Sequence, residues 1–159
     1  MTNAEFFTQR FEGEQPAFRK VLAALPADKL DYKPHEKNTP AGALAWQLVL
    51  EQKGIANILK SGKDDFVFSP PPALDAILAE WDRATEEVRE ALKSADDAKW
   101  DGEAQFLMNG NPVWTDTLRG MLWGFLFDMV HHRGQLSAYL RPMGGKVPAI
   151  YGPSADEQA

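Results

Sequence analysis

The stretch from Thr115 to Arg141 most constrains how this chain can fold, because it reads as one long helix with a mixed inner face. Thr115 is suited to the N-cap, where a hydroxyl accepts a free first-turn N–H. Arg141 faces the negative helix end, and Pro142 cannot continue the helix. Leu118, Met121, Phe125, Leu136 and Tyr139 recur at three- and four-residue steps and form a buried stripe. The same stripe passes through Asp128, His132 and Gln135. A carboxylate, an imidazole and an amide turned inward need partners, since leaving each unpaired costs roughly 1–3 kcal/mol. Residues four apart share a helix face, so Asp128 and His132 converge on one point, the candidate site.

The chain has 159 residues, the length of one domain, and is treated as one over residues 1–159. Its net charge of −6 and lack of a basic block argue against nucleic acid as a partner. With no cysteine there is neither a disulfide nor a thiol nucleophile, which fits a reducing compartment. The first residues lack the pattern of a signal peptide, and no run has the roughly 18 apolar residues that span a bilayer, so a cytoplasmic protein without a membrane segment is expected.

Ahead of the long helix, Phe7, Phe11, Phe18, Val21 and Leu25 share one helical face, with Glu14 in its gap. Pro16 is expected to kink this segment or divide it into two helices. Thr39-Pro40 reads as the start of a second helix, with Leu44, Leu48, Ile55, Ile58 and Leu59 on its apolar face and Gly62 at its end. Gln47 and Glu51 sit on or beside that face, four residues apart. Residues 63–72 read as a loop able to cross the end of a bundle. A third helix spans about residues 73–95, with Leu74, Ile77, Trp81, Ala84, Val88 and Leu92 inward. Residues 96–114 read as irregular apart from a small hairpin around Asn109-Gly110, a dipeptide suited to positive φ. The tail from Met143 to Ser154 is expected to pack back onto the helices, and residues 156–159 to fray. Four amphipathic helices predict an all-α four-helix bundle with a small hairpin before the last helix.

Bundles build metal sites from side chains on facing helices, and here Gln47 with Glu51 faces Asp128 with His132. Divalent metals accept imidazole nitrogen and carboxylate oxygen, and three protein ligands with an open position describe a catalytic centre. The competing reading is a buried hydrogen-bonded network in which Asp128 accepts from His132, completed by Gln47 and Gln135. His131 points about 100° away from His132 and reads as a surface or outer group beside the site. His35 falls in a loop. Gly134 lies inside a helix at a cost of about 1 kcal/mol relative to alanine, and close approach of another backbone is expected there. Trp123, Phe127 and Val130 make the long helix apolar nearly all round, so its far side needs a cover.

The run His131-His132-Arg133-Gly134-Gln135-Leu136, followed by Tyr139-Leu140-Arg141-Pro142-Met143-Gly144-Gly145-Lys146-Val147-Pro148, resembles the C-terminal signature of the DinB-like family of damage-inducible, YfiT-like four-helix bundles. Tyr32-Lys33-Pro34-His35 and Leu44-Ala45-Trp46-Gln47 are similar to that family's layout. The resemblance implies a bundle in which the second and third helices run parallel through a crossover, often as a homodimer. It implies a divalent metal, zinc or nickel, held by three histidines, one on the second helix and two four apart on the last. In some relatives it implies transfer or isomerisation with an external low-molecular-weight thiol. This chain keeps only His132 of that triad. Asp128 stands four residues earlier and Gln47 at the second-helix position, with Glu51 one turn on as a substitute.

Two functions follow. One is a metal-dependent enzyme that activates a thiol or water toward a small electrophile, with Gln47, Asp128 and His132, and Glu51 beside them, around the metal, and Gln135 and His131 outside. The other is a non-catalytic, stress-related bundle, metal-free or weakly metal-binding, acting as a binding or structural homodimer. In either case a dimer is expected to cover Trp123 and Phe127.

Overall fold

In the computed structural model, which describes residues 1–95 and 97–158, the expected apolar stripes lie on four helices: α1 (Asn3–Ala23), α2 (Ala41–Ser61), α3 (Leu74–Lys93) and α4 (Leu118–Leu140). Asp96 and Ala159, which fell in the stretches expected to be irregular and frayed, lie outside the described residues. α2 packs against α3 and α4, and α1 against the same two. One core cluster joins Phe7, Phe11 and Phe18 of α1 to Leu48 and Ile55 of α2, Ile77 and Trp81 of α3, and Met121 and Leu136 of α4.

The all-α expectation needs correction, because the chain also builds a three-stranded sheet from β1 (Lys63–Phe66), β2 (Glu103–Met108) and β3 (Asn111–Thr117), in that spatial order. The β2–β3 hairpin is the one expected. Asn109 and Gly110 have φ of 51° and 77°, the two positive values that a tight two-residue turn needs. β1 falls in the stretch that reads as loop from the sequence. Its Lys-Asp-Asp-Phe sequence has little strand preference of its own, and it is fixed by parallel pairing with β2, Lys63 opposite Gln105 through Phe66 opposite Met108. Two side chains add to this. Asn57 Nδ2 donates to Asp64 Oδ1 at 2.8 Å, and the Gly110 N–H donates to the Asp65 carboxylate at 3.0 Å. β3 continues through Thr117, which displaces the start of α4. Thr117, not Thr115, is the N-cap, its hydroxyl accepting from the Gly120 N–H at 3.2 Å.

α1 runs through Pro16 as a single helix. Pro16 is exposed, and the helix continues with one intrahelical hydrogen bond fewer. The tail does pack back: Met143 is buried, and Lys29 donates to its carbonyl at 2.7 Å. Residues 156 and 157 do not fray. The Asp156 carboxylate accepts from Arg141 and the Val147 N–H, and that of Glu157 from Lys20 and the Ala149 N–H. Among the described residues, no helix is long and apolar enough to cross a membrane.

Two expectations for α4 also change. Trp123 is partly buried within the chain, with Phe7 edge-on at 5.3 Å and Phe6 at 5.6 Å between ring centroids, and it lines an open strip with Phe6 and Phe127. Gly134 is exposed, and a Cβ built there meets nothing within 4 Å. No backbone among the described residues approaches it. Gly134→Ala is therefore expected to stabilise the helix by about 1 kcal/mol and raise the melting temperature by about 2–4 °C. A thermal melt checks this; a fall would mean that a second copy closes on Gly134 in solution.

Candidate metal centre

α2 and α4 meet with their polar positions facing. From α2, Gln47 Nε2 donates to Glu51 Oε1 at 2.8 Å. From α4, His132 Nδ1 lies 3.1 Å from the same oxygen and 3.8 Å from Asp128 Oδ2. Ligand-type atoms of Glu51, Asp128 and His132 all fall within 4.8 Å of one another. The helices set up a gradient of burial across this cluster: the side chain of Glu51 is 5% exposed, that of His132 13% and that of Asp128 56%. A buried base is thus presented to solvent through a carboxylate at its lip.

The other expected groups divide. Gln47 meets the cluster, but its amide nitrogen faces Glu51 and stands 3.4 Å from both ring nitrogens of His132. It orients the carboxylate instead of offering it a second acceptor. Gln135 turns to His131, its amide nitrogen 3.1 Å from Nε2 of that exposed ring. His35 accepts from the Lys37 N–H in an exposed turn.

The fit to a divalent cation rests on one atom. Glu51 Oε2 is buried and has no hydrogen-bond partner. An orphaned carboxylate oxygen inside a protein carries a desolvation penalty that a cation would relieve. Two carboxylates and one imidazole suit a borderline or hard divalent metal.

The charges respond to this setting. Burial raises the pKa of Glu51, and the bond from His132 pulls against it. The Glu51 hydrogen bond raises that of His132, with burial opposing. Both groups hold protons longer in the native state than in the unfolded one. The contribution of His132 is complete below its ordinary 6.5 and is lost as pH rises through its raised native value, while that of Glu51 already declines above its ordinary 4.5. Metal-free protein should therefore melt at a lower temperature near about pH 8 than near about pH 6, and His132→Gln should flatten that slope. Melts of both proteins across this range decide it; an unchanged slope in the variant would remove His132 from the account.

Next to the cluster opens a cavity of about 470 Å³. Gln47, Glu51 and Asp128 form one side, and Phe66, Phe106, Trp114 and Phe125 much of the rest. Phe106 meets Phe125 edge-on at 5.3 Å, and Trp114 stacks on it at 6.3 Å. The sheet delivers these rings: Phe106 and Trp114 are cross-strand partners, so both point to one face. A Cβ on Gly124 would overlap the Trp114 ring, so glycine is what lets the indole lie on α4. The sequence reading missed this wall. Its one available signal was the two-residue alternation of Ala104, Phe106 and Met108, with Trp114 across the turn.

A mostly helical protein with a carboxylate–imidazole cluster between two helices and a small sheet over an adjoining cavity is thus defined. The sequence profile of the DinB family matches residues 1–159, and the chain belongs to that family. The uncharacterised protein YrdA of Bacillus subtilis (strain 168) is 28% identical over 163 residues, spanning 98% of this chain and 92% of that protein. The crystal structure of a DinB-like protein from Bacillus cereus ATCC 10987 is similar with a TM-score of 0.76 and 23% identity, over 92% of this chain and 97% of that one. The DinB-like protein YjoA from Bacillus subtilis gives 0.71 and 19%, over 96% and 99%. A mycothiol-dependent maleylpyruvate isomerase gives 0.59 and 10%, over 93% of this chain and 65% of that one. These structural likenesses concern the fold.

Proposed function

We propose that this protein is a metal-dependent enzyme of the DinB type in which Glu51, Asp128 and His132 hold one divalent cation, zinc or nickel. The observation that carries the reading is that ligand atoms of Glu51, Asp128 and His132 gather within 4.8 Å of one another at the wall of a cavity, with the second oxygen of the Glu51 carboxylate, Oε2, buried and unpartnered among the described residues. When bound, the cation supplies Lewis acidity that makes water or an external low-molecular-weight thiol a better nucleophile at neutral pH. The chain does the rest. Gln47 and His132 fix the rotamer of Glu51. Asp128, half in solvent, can take a proton from the incoming nucleophile at a carboxylate oxygen. The aromatic wall keeps water from the electrophile. The similarity to a mycothiol-dependent isomerase supports an external thiol, as does a chain without cysteine.

We read the helix packing as a four-helix bundle whose α2–α3 connection crosses over its end, and Phe127, 65% exposed, as part of a homodimer contact. A second reading, a non-catalytic bundle, is favoured by one observation: Gln47, Glu51 and His132 already bond to one another without a metal.

Calorimetric titration with zinc and with nickel separates the two. Wild-type protein is expected to bind, more weakly at acid pH because the cation competes with the His132 proton, and Asp128→Ala is expected to abolish binding with the helices still folded. No heat of binding in the wild type, with a melting temperature lowered in the variant, would leave the network reading.

A further inference from the structure

From the cavity beside the cluster, we infer that the substrate is a small, uncharged, planar molecule whose aromatic or unsaturated body lies against Trp114 and Phe106 and whose polar end meets Asp128. This rests on the proposed site and adds the class of substrate.

Three observations carry it. The first is size. A cavity of about 470 Å³ falls within the range that takes one small molecule, and is far too small for a peptide or nucleic acid strand. The second is shape. Phe66, Phe106, Trp114 and Phe125 form a continuous set of ring contacts, with centroid separations of 6.0, 5.3 and 6.3 Å along the series Phe66–Phe106, Phe106–Phe125 and Trp114–Phe125. Ring faces and edges at such spacing favour another flat π-system over a branched or flexible chain. Gly124 is needed for this arrangement, since any side chain there would drive Trp114 from its place.

The third is charge. The ionisable residues that line the cavity are Glu51 and Asp128; among the described residues no lysine or arginine lines it. Two carboxylates balance one divalent cation, so the site carries no surplus positive charge to hold an anion, and without the cation it repels one. The single polar corner formed by Gln47, Glu51 and Asp128 can accept hydrogen bonds from an amide N–H at one end of the ligand, while most of the rest of the wall is aromatic ring surface. Val67 and Phe68, which follow Phe66, and Met108, which pairs with it in the sheet, are exposed apolar side chains at the same sheet end. They continue the apolar surface outward and suit the entry of an uncharged molecule.

Cinnamamide and cinnamate test the inference, because they share one planar shape and differ by one charge. Equilibrium dialysis is run on the protein as purified, with and without added zinc. Cinnamamide is expected to bind with a Kd below about 1 mM, and cinnamate at least about tenfold more weakly. Trp114→Ala should weaken cinnamamide by about tenfold, while Trp114→Phe keeps most of the affinity. Asp128→Asn should strengthen cinnamate relative to cinnamamide, because it removes the carboxylate that repels the anion, and this variant alters only a half-exposed side chain. The wild-type comparison needs no variant to fold. Cinnamate binding as tightly as cinnamamide, or no cinnamamide binding at all, overturns the inference even if zinc binds. Cinnamamide bound with this selectivity by a protein that takes up no zinc upholds it and removes the metal reading instead.

Discussion

Glu51→Gln is expected to weaken zinc binding on the order of 100-fold or more while leaving the metal-free protein about as stable as before. The two halves of this result have one cause. The Glu51 carboxylate is buried deeply enough that its pKa is raised, so the native state holds its charge at a penalty, and one of its oxygens has no partner. Glutamine has the same shape and no charge. Its oxygen can keep the bond from Gln47, and replacing a poorly compensated buried charge by a neutral isostere is close to neutral in stability, within about 1 kcal/mol. What is lost is the anionic oxygen that a divalent cation requires. Zinc calorimetry beside thermal melts measures both halves. Unchanged zinc affinity would take Glu51 out of the ligand set. A drop in melting temperature beyond about 5 °C would mean that the carboxylate serves the fold first.

Arg133→Ala is expected to cost roughly 3–5 kcal/mol and lower the melting temperature on the order of 10 °C. Arg133 belongs to the run that carries the family resemblance, yet it faces away from the metal cluster. Its side chain is 2% exposed. It donates to Glu14 Oε2 and to the Tyr151 hydroxyl, each at 2.5 Å, and its guanidinium lies 4.6 Å from the Phe18 ring centre and 5.1 Å from that of Tyr151. Tyr151 in turn donates to Glu14 at 2.8 Å. One side chain thus ties α4 to α1 and to the C-terminal tail. Removing it leaves a mostly buried carboxylate without its cation and takes from the tail its bond to Tyr151, which is why the expected loss exceeds that of a surface ion pair. Adding Glu14→Gln to the variant should recover part of the stability, because it removes the stranded charge. A fall of only about 2–4 °C in the single variant would contradict this account.

Helical phase made half of the site legible in advance. Asp128 and His132 are four apart on a stripe whose one other polar member is Gln135, and Gln47 and Glu51 repeat that spacing on α2, so period alone showed that each pair shares a helix face and could meet the other. Which member of the α2 pair would offer a free oxygen did not follow, because Gln47 and Glu51 share an arc and only packing decides that the amide bonds to the carboxylate. Glu14 was readable as a polar gap in an apolar stripe, but not as the partner of Arg133, a contact between residues 119 positions apart. The aromatic wall was hidden for a different reason. Phe66 lies on a strand with no strand-like sequence, and its place beside Phe106 exists only once β1 pairs with β2. Gly134 shows the limit of composition: a helical glycine suggested a close approach, and within the chain there is none.

The most direct measurement is a crystal of zinc-soaked protein with anomalous diffraction recorded on either side of the zinc absorption edge. The account predicts one strong peak between α2 and α4, within coordination distance of Glu51, Asp128 and His132 together, and its loss in Glu51→Gln. No peak at that position, or zinc bound only at surface carboxylates, would contradict it.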